Sequence, residues 1–197
     1  MDKRILKTKR MLKIAFFELL TEKEFQKITV TDICNRACTS RITFYTHYED
    51  KFDLINDIAE GIKTEIVDLF NKLQNTNNTE NDKVKRHYNF IDALMDIEDD
   101  YALRLHLDIH ALPSEIQLTI YQYVKEIAYE IETQYDQINP SYPTQQFSAF
   151  LVAGFWAYIG AASDAGISRT QIRKEVKALV KNLLESELFL WIQMVFL

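Results

Sequence analysis

The segment 29–51, TVTDICNRACTSRITFYTHYEDK, carries the residue types that read nucleic acid, at the spacing of two short helices joined by a tight turn. Arg41 falls in the first turn of the second helix, where a guanidinium can donate two parallel hydrogen bonds to guanine O6 and N7 in a major groove. Ile42 and Thr43 can meet a thymine methyl, and Thr43 or Thr46 can hydrogen-bond a base or a phosphate. Tyr45 and His47 are placed to reach phosphate oxygens, which fixes register rather than sequence. The first helix of such a pair spans the DNA backbone, with Thr29 and Thr31 at its start, and Ser40 opens the second. Lys51 lies just inside the next helix, so its ammonium and the free backbone N–H groups predict an anion site. The expected DNA-contacting set is Thr29, Thr31, Ser40, Arg41, Ile42, Thr43, Tyr45, Thr46, His47 and Lys51.

Other chemistries are less well supported. Cys34 and Cys38 are four residues apart, but two thiols cannot close a tetrahedral metal site, and Cys34 sits where a small core residue belongs. His106 and His110 form H-L-D-I-H, the spacing at which two helical imidazoles can share a metal. Leu107 stands where the usual Glu would follow the first His, and Pro113 closes the segment, so no metal centre is expected. No nucleophile elbow, Gly-rich phosphate loop or suitably spaced carboxylate pair is visible. The sequence therefore predicts neither an enzyme nor a cofactor.

The elements that must position these residues read as helices throughout. Residues 5–22 place Ile5, Leu12, Phe16 and Leu19 on one stripe, with Lys3, Arg4, Lys7, Lys9, Arg10 and Lys13 crowding the first half. Thr29 and Asp32 have the spacing of a capping box, predicting a helix to about Ala37; Ser40 predicts another over 41–47. Asp50 predicts the start of a long helix with Ile55, Ile58, Ile62, Ile66, Leu69 and Leu73 inward. The run 74–82, QNTNNTEND, reads as a mobile loop. Helices follow near 83–97, 100–108, 114–138, 144–164 and 168–196. The expected organisation is a DNA-binding head over 1–50, a connecting helix over 51–73 and a helical body over 74–197.

Composition agrees with an all-α fold. Four Gly and three Pro in 197 residues are too few for the turns of an all-β chain, and 47% hydrophobic residues can fill a core. The net charge of −6 hides a split: residues 1–48 hold ten Lys/Arg against five Asp/Glu, a surplus of +5, so the remainder carries −11. A basic head on an acidic body suits a polyanionic partner at one end. The amino terminus lacks the apolar core of a signal peptide, and the apolar run 147–163 is marginally short for a bilayer span. A cytoplasmic protein without a membrane partner is expected.

With these residues in view, the chain resembles the TetR family of bacterial repressors. The resemblance rests on Ala37, Ser40, Thr43, Phe44, Tyr45, His47, Tyr48 and Lys51, preceded by Thr29-Val30-x-Asp32-Ile33 and the helix 11–20. It implies a three-helix helix-turn-helix head, a helical body for dimerisation and effector binding, and repression of a double-stranded operator relieved by a small molecule. The chain departs from the pattern at Cys38, where the turn normally carries Gly, at Thr39, where it carries Val, and at Glu24, where a Gly is common. Helix 144–164 is apolar on every side, and with the final helix it predicts an isologous homodimer interface. Tyr88, Phe90, Tyr101, Tyr121, Tyr129, Phe155, Trp156 and Tyr158 could line an effector cavity or simply fill core. The alternative is an adaptor of the same fold, regulated by a protein partner.

Overall fold

The computed structural model describes residues 3–105, 109–135 and 143–186. It contains eight α-helices and no strand among the described residues: α1 Lys3–Glu22, α2 Val30–Arg36, α3 Arg41–Tyr45, α4 Lys51–Asn77, α5 Lys83–Leu105, α6 Ser114–Tyr135, α7 Thr144–Asp164 and α8 Arg169–Glu185. Short 3-10 turns occur at Phe25–Lys27 and Ile109–Ala111. The described residues divide into two compact units, one drawn from 1–62 and 98–120, the other from 63–97 and 121–197.

The first unit is built on aromatic packing. Phe16, Phe44, Leu12, Ile33 and Leu54 are fully enclosed, and the Phe16 and Phe25 rings meet edge to face, centroids 6.3 Å apart. Such pairs add roughly 0.5–1.5 kcal/mol beyond the area they bury. Ile55, Ile58 and Ile62 line a wholly apolar void of about 10 Å³ with Phe17, Tyr101 and Ile116, too small to hold more than one water. Ile5, expected on the inward stripe of α1, is 37% exposed; the packed face begins two turns later, at Leu12.

In the second unit Ile91, Met95, Ile159, Ile172, Val176 and Val180 form one buried cluster. The inward stripe of α4 runs on through Phe70 and Gln74, which are buried, while Leu69 and Leu73 are half-buried. This corrects the expected loop at 74: the helix continues to Asn77. Gln74 can be buried because its Oε1 accepts from the side-chain amides of Asn78 and Asn89. Asn78 in turn accepts from the Asp82 N–H, at 2.8 Å, and donates to the Asp82 carbonyl, at 3.0 Å. A satisfied polar network of this kind costs little to bury and orders the turn.

Two further boundaries differ from expectation. Residues 83–105 form one helix instead of two, since the acidic run 98–100 contains neither Gly nor Pro to break it. Helix α8 ends at Glu185, where Ser186 turns to extended backbone at ψ 153°; the apolar tail LFLWIQMVFL lies outside the described residues, as do 136–138. Helix α7 is long and apolar enough to cross a bilayer by length and composition, with 28% of its most apolar window buried. Its buried side is Phe147, Leu151, Val152, Ile159 and Ala162. Its open side carries Phe150, 66% exposed, and Ala153, Gly154, Ala157 and Ala161.

Five of the aromatic residues considered for a cavity have ring or hydrogen-bond partners. Phe90 packs edge-on against Phe70, Tyr121 against Trp156, Tyr158 donates to Glu175 at 2.7 Å, and the Lys177 ammonium sits over Tyr88.

Candidate nucleic-acid interface

The first helix of the motif is fixed by its own ends. Thr29 Oγ1 accepts from the Asp32 N–H at 3.1 Å, and Asp32 Oδ2 accepts from the Thr29 N–H at 2.9 Å, a complete capping box. The Thr29 hydroxyl also donates to Asp32 Oδ2, so its one proton is spent on the cap. Lys23 donates to Asp32 Oδ1 at 2.8 Å; this bond, with those from Thr29, holds the Asp32 carboxyl well below the usual carboxylate range. At the other end Arg36 bridges to Glu18 and Glu22 of α1, at 3.3 and 2.6 Å.

The turn after α2 is a Schellman motif. The Thr39 N–H reaches back to the Cys34 carbonyl at 2.9 Å, and the Cys38 N–H to that of Asn35 at 3.2 Å. This geometry puts Cys38 in the left-handed region, at φ 51°. Glycine adopts that conformation freely, whereas a residue with a Cβ loses about 1–2 kcal/mol there. Cys34 is buried and Cys38 exposed, and both are free thiols.

Helix α3 is short but firmly seated. Ser40 Oγ accepts from the Thr43 N–H at 3.0 Å, supplying the predicted cap. Phe44 is completely buried and Tyr48 nearly so. The Tyr48 hydroxyl donates to Asp57 Oδ2 at 2.6 Å, and Asp57 also pairs with Lys13 at 2.9 Å and Lys9 at 3.3 Å. Burial alone would push the Asp57 carboxyl up, but the bonds from Tyr48 and Lys13 and the charges of Lys13 and Lys9 outweigh it and hold it down. The Tyr48 hydroxyl is pushed far above its ordinary value, by burial and then by Asp57.

With Phe44 and Tyr48 anchored, the opposite side of α3 must face outward. Ile42 is 80% exposed and Tyr45 50%, the Arg41 guanidinium lies over the Tyr45 ring, 5.8 Å from its centroid, and Thr46 is exposed beside them. Thr31 is exposed on α2. Thr43 is half-buried, its hydroxyl 2.9 Å from that of Ser40. Thr46 donates its proton to the Thr43 carbonyl at 2.7 Å, so in this arrangement it can accept from a base amine but cannot donate to a phosphate. His47 is half-buried against the Tyr48 ring.

Lys51 is engaged within the fold. Its ammonium donates to the carbonyls of Phe25 and Ile28, at 2.8 and 3.0 Å, with that of Gln26 at 3.4 Å. It also stands 4.3 Å from the centroid of the Phe25 ring. Burial lowers its affinity for the proton, against the charges of Glu115 and Asp50. The N–H groups expected to complete an anion site are taken as well: Asp50 Oδ1 accepts from Phe52 and Asp53, at 2.7 and 2.9 Å. The start of α4 is closed by its own carboxylate, and Lys51 clamps the 3-10 turn Phe25–Lys27.

The hub at Asp57 was not legible in the sequence, where a single acid in the middle of a helix carries no signal of its long-range partners. Of the histidine pair, His106 lies outside the described residues. His110 belongs to a 3-10 turn, with Nε2 3.7 Å from Glu98.

No family model matches the chain. Over 68 residues, 34% of its length, it is 35% identical to YxbF, an uncharacterized HTH-type transcriptional regulator of Bacillus subtilis strain 168. That match spans only 18% of the relative's length. Among solved structures, the chain superposes with a TM-score of 0.72 on one assigned to the TetR family of transcriptional regulators from Syntrophomonas wolfei, at 14% identity, covering 91% of this chain and 96% of that one. A TetR transcriptional regulator from Streptococcus agalactiae 2603V gives a TM-score of 0.57 at 21% identity, with the same coverage. Such identities speak for fold, and with the capped helix pair and seated α3 described above they lead to one statement: the chain has the all-α fold of the TetR transcriptional regulators.

Proposed function

We propose that the chain is a sequence-specific DNA-binding regulator, a repressor relieved by an effector, which grips a palindromic operator as a homodimer in the cytoplasm. One observation carries the reading: α3 is locked by Phe44 and Tyr48 so that Arg41, Ile42, Tyr45 and Thr46 stand together on its open side. A guanidinium, a branched alkyl group and a hydroxyl acceptor on a rigid helix form a base-reading surface. The open side of α7, with Leu179 of α8 also exposed, supports pairing with a second copy. A Cβ placed on Gly154 would meet no atom within 4 Å, leaving room for the close approach of a helix. Two-fold pairing then sets the two α3 helices about 34–36 Å apart, one turn of duplex.

Selection of duplexes from a random library tests the reading, followed by titration of the recovered duplex with the wild-type chain and Arg41→Ala. Loss of about 1–3 kcal/mol of discrimination at one base pair, with binding to mixed-sequence duplex retained, is the expected result. Recovery of no preferred sequence would overturn it.

A further inference from the structure

The second unit buries an acid and a histidine together. His87 on α5 and Glu132 on α6 bridge the two helices, with side chains only 7% and 6% exposed, and His87 Nε2 lies 2.8 Å from Glu132 Oε1. His87 Nδ1 stands 2.8 Å from the Lys83 carbonyl. A carbonyl can only accept, so Nδ1 carries a proton; Nε2 and Oε1, too close for two bare lone pairs, hold a second proton between them. The charge of the carboxylate is thereby met inside the pair. Its other oxygen is not satisfied: Oε2 is buried and accepts no hydrogen bond among the described residues. Few buried acceptors are left so, because each lacks the donor that water would have supplied. The adjoining turns are apolar. Ile91 and Met95 follow His87 on one face of α5, Val124 and Ala128 precede Glu132 on one face of α6, and all four are buried.

Building on the regulator reading, we propose that Glu132 is the polar anchor of the effector site, and that the effector is a neutral, largely apolar molecule bearing a hydroxyl. The hydroxyl donates to Oε2, the oxygen that His87 leaves open, and the rest of the molecule lies against the apolar turns of α5 and α6. A cation is the poorer match. The pair already cancels its own charge, so an ammonium would give up its hydration without gaining a free counter-charge. A molecule with no donor leaves Oε2 as it stands and gains nothing from the pair.

The full-length chain is titrated with p-cresol, with p-methylanisole, which keeps the oxygen but lacks its proton, and with benzylamine. Wild type is expected to bind p-cresol on the order of ten-fold more tightly than p-methylanisole, the effect of one hydrogen bond to a charged group. Benzylamine is expected to bind no more tightly than p-methylanisole. Glu132→Met should abolish the preference for p-cresol, because the hydroxyl then loses water without finding a partner. Equal affinity for p-cresol and p-methylanisole overturns the site, as does benzylamine binding tightest or a preference that survives Glu132→Met. If the variant does not fold, the three ligands on wild type decide alone. Saturating p-cresol should also weaken binding to the duplex recovered by selection, and an unchanged duplex affinity overturns the effector role. A wild-type chain that binds no duplex overturns the regulator reading, while the ligand comparison still decides the site.

Discussion

Replacing Lys51 by alanine separates a clamp from a phosphate contact. The ammonium makes two well-formed hydrogen bonds to the Phe25 and Ile28 carbonyls and a longer one to Gln26. Hydrogen bonds to a charged group contribute about 1.5–3 kcal/mol net, and the cation over the Phe25 ring adds roughly 0.5–1. Desolvation of the half-buried ammonium offsets part of this, and water entering the vacated space would satisfy some of the carbonyls. A net loss of about 2 kcal/mol follows, read as a lower urea midpoint by circular dichroism with an unchanged m-value. Because the clamp holds the Phe25–Lys27 turn, not DNA, the folded variant should keep the wild-type salt slope on duplex. Stability within about 0.5 kcal/mol of wild type, together with a slope reduced by one, would refute the clamp and return Lys51 to the phosphates.

Three other outcomes are expected. Cys38→Gly relieves the left-handed strain of about 1–2 kcal/mol but adds roughly 0.5–1 kcal/mol of unfolded-state entropy, so a net gain of up to about 1.5 kcal/mol should raise the melting temperature; a lower one would contradict the φ of 51°. Asp57 titrates below its ordinary value in the folded state, so its contribution to stability is fully present above the unfolded value near ~4 and is lost as pH falls through the folded one. Asp57→Asn should therefore flatten the acid limb of the stability profile, and an unaltered limb would exclude this carboxylate as its source. Phe150→Glu puts a charge on the open side of α7 and should shift sedimentation from dimer to monomer while the helical spectrum persists; an unchanged dimer would move the interface elsewhere.

The head was legible because its signals are local. Thr29 caps through a residue three positions on, Ser40 does the same, and both helices start where those residues stand. Of the departures in the turn, Cys38 takes up the strained backbone that its place after the helix demands. The body was read less well. The polar run at 74 looks like a loop because Gln74 and Asn78 carry no sign of the partners that let them be buried; Asn89, fifteen residues away, supplies one. The acidic stretch in α5 looks like a break but is merely solvent-compatible, since no residue there forbids helix.

Sequence alone determined which residues could read bases, since residue type and capping are properties of a few neighbouring positions. Only the tertiary structure decided which cations are engaged within the fold. Electrostatic partners are chosen in space: Lys9 and Lys13 meet Asp57 more than forty residues on, and Lys51 meets carbonyls more than twenty residues back. A basic side chain in a sequence is a charge, and folding determines where that charge is directed.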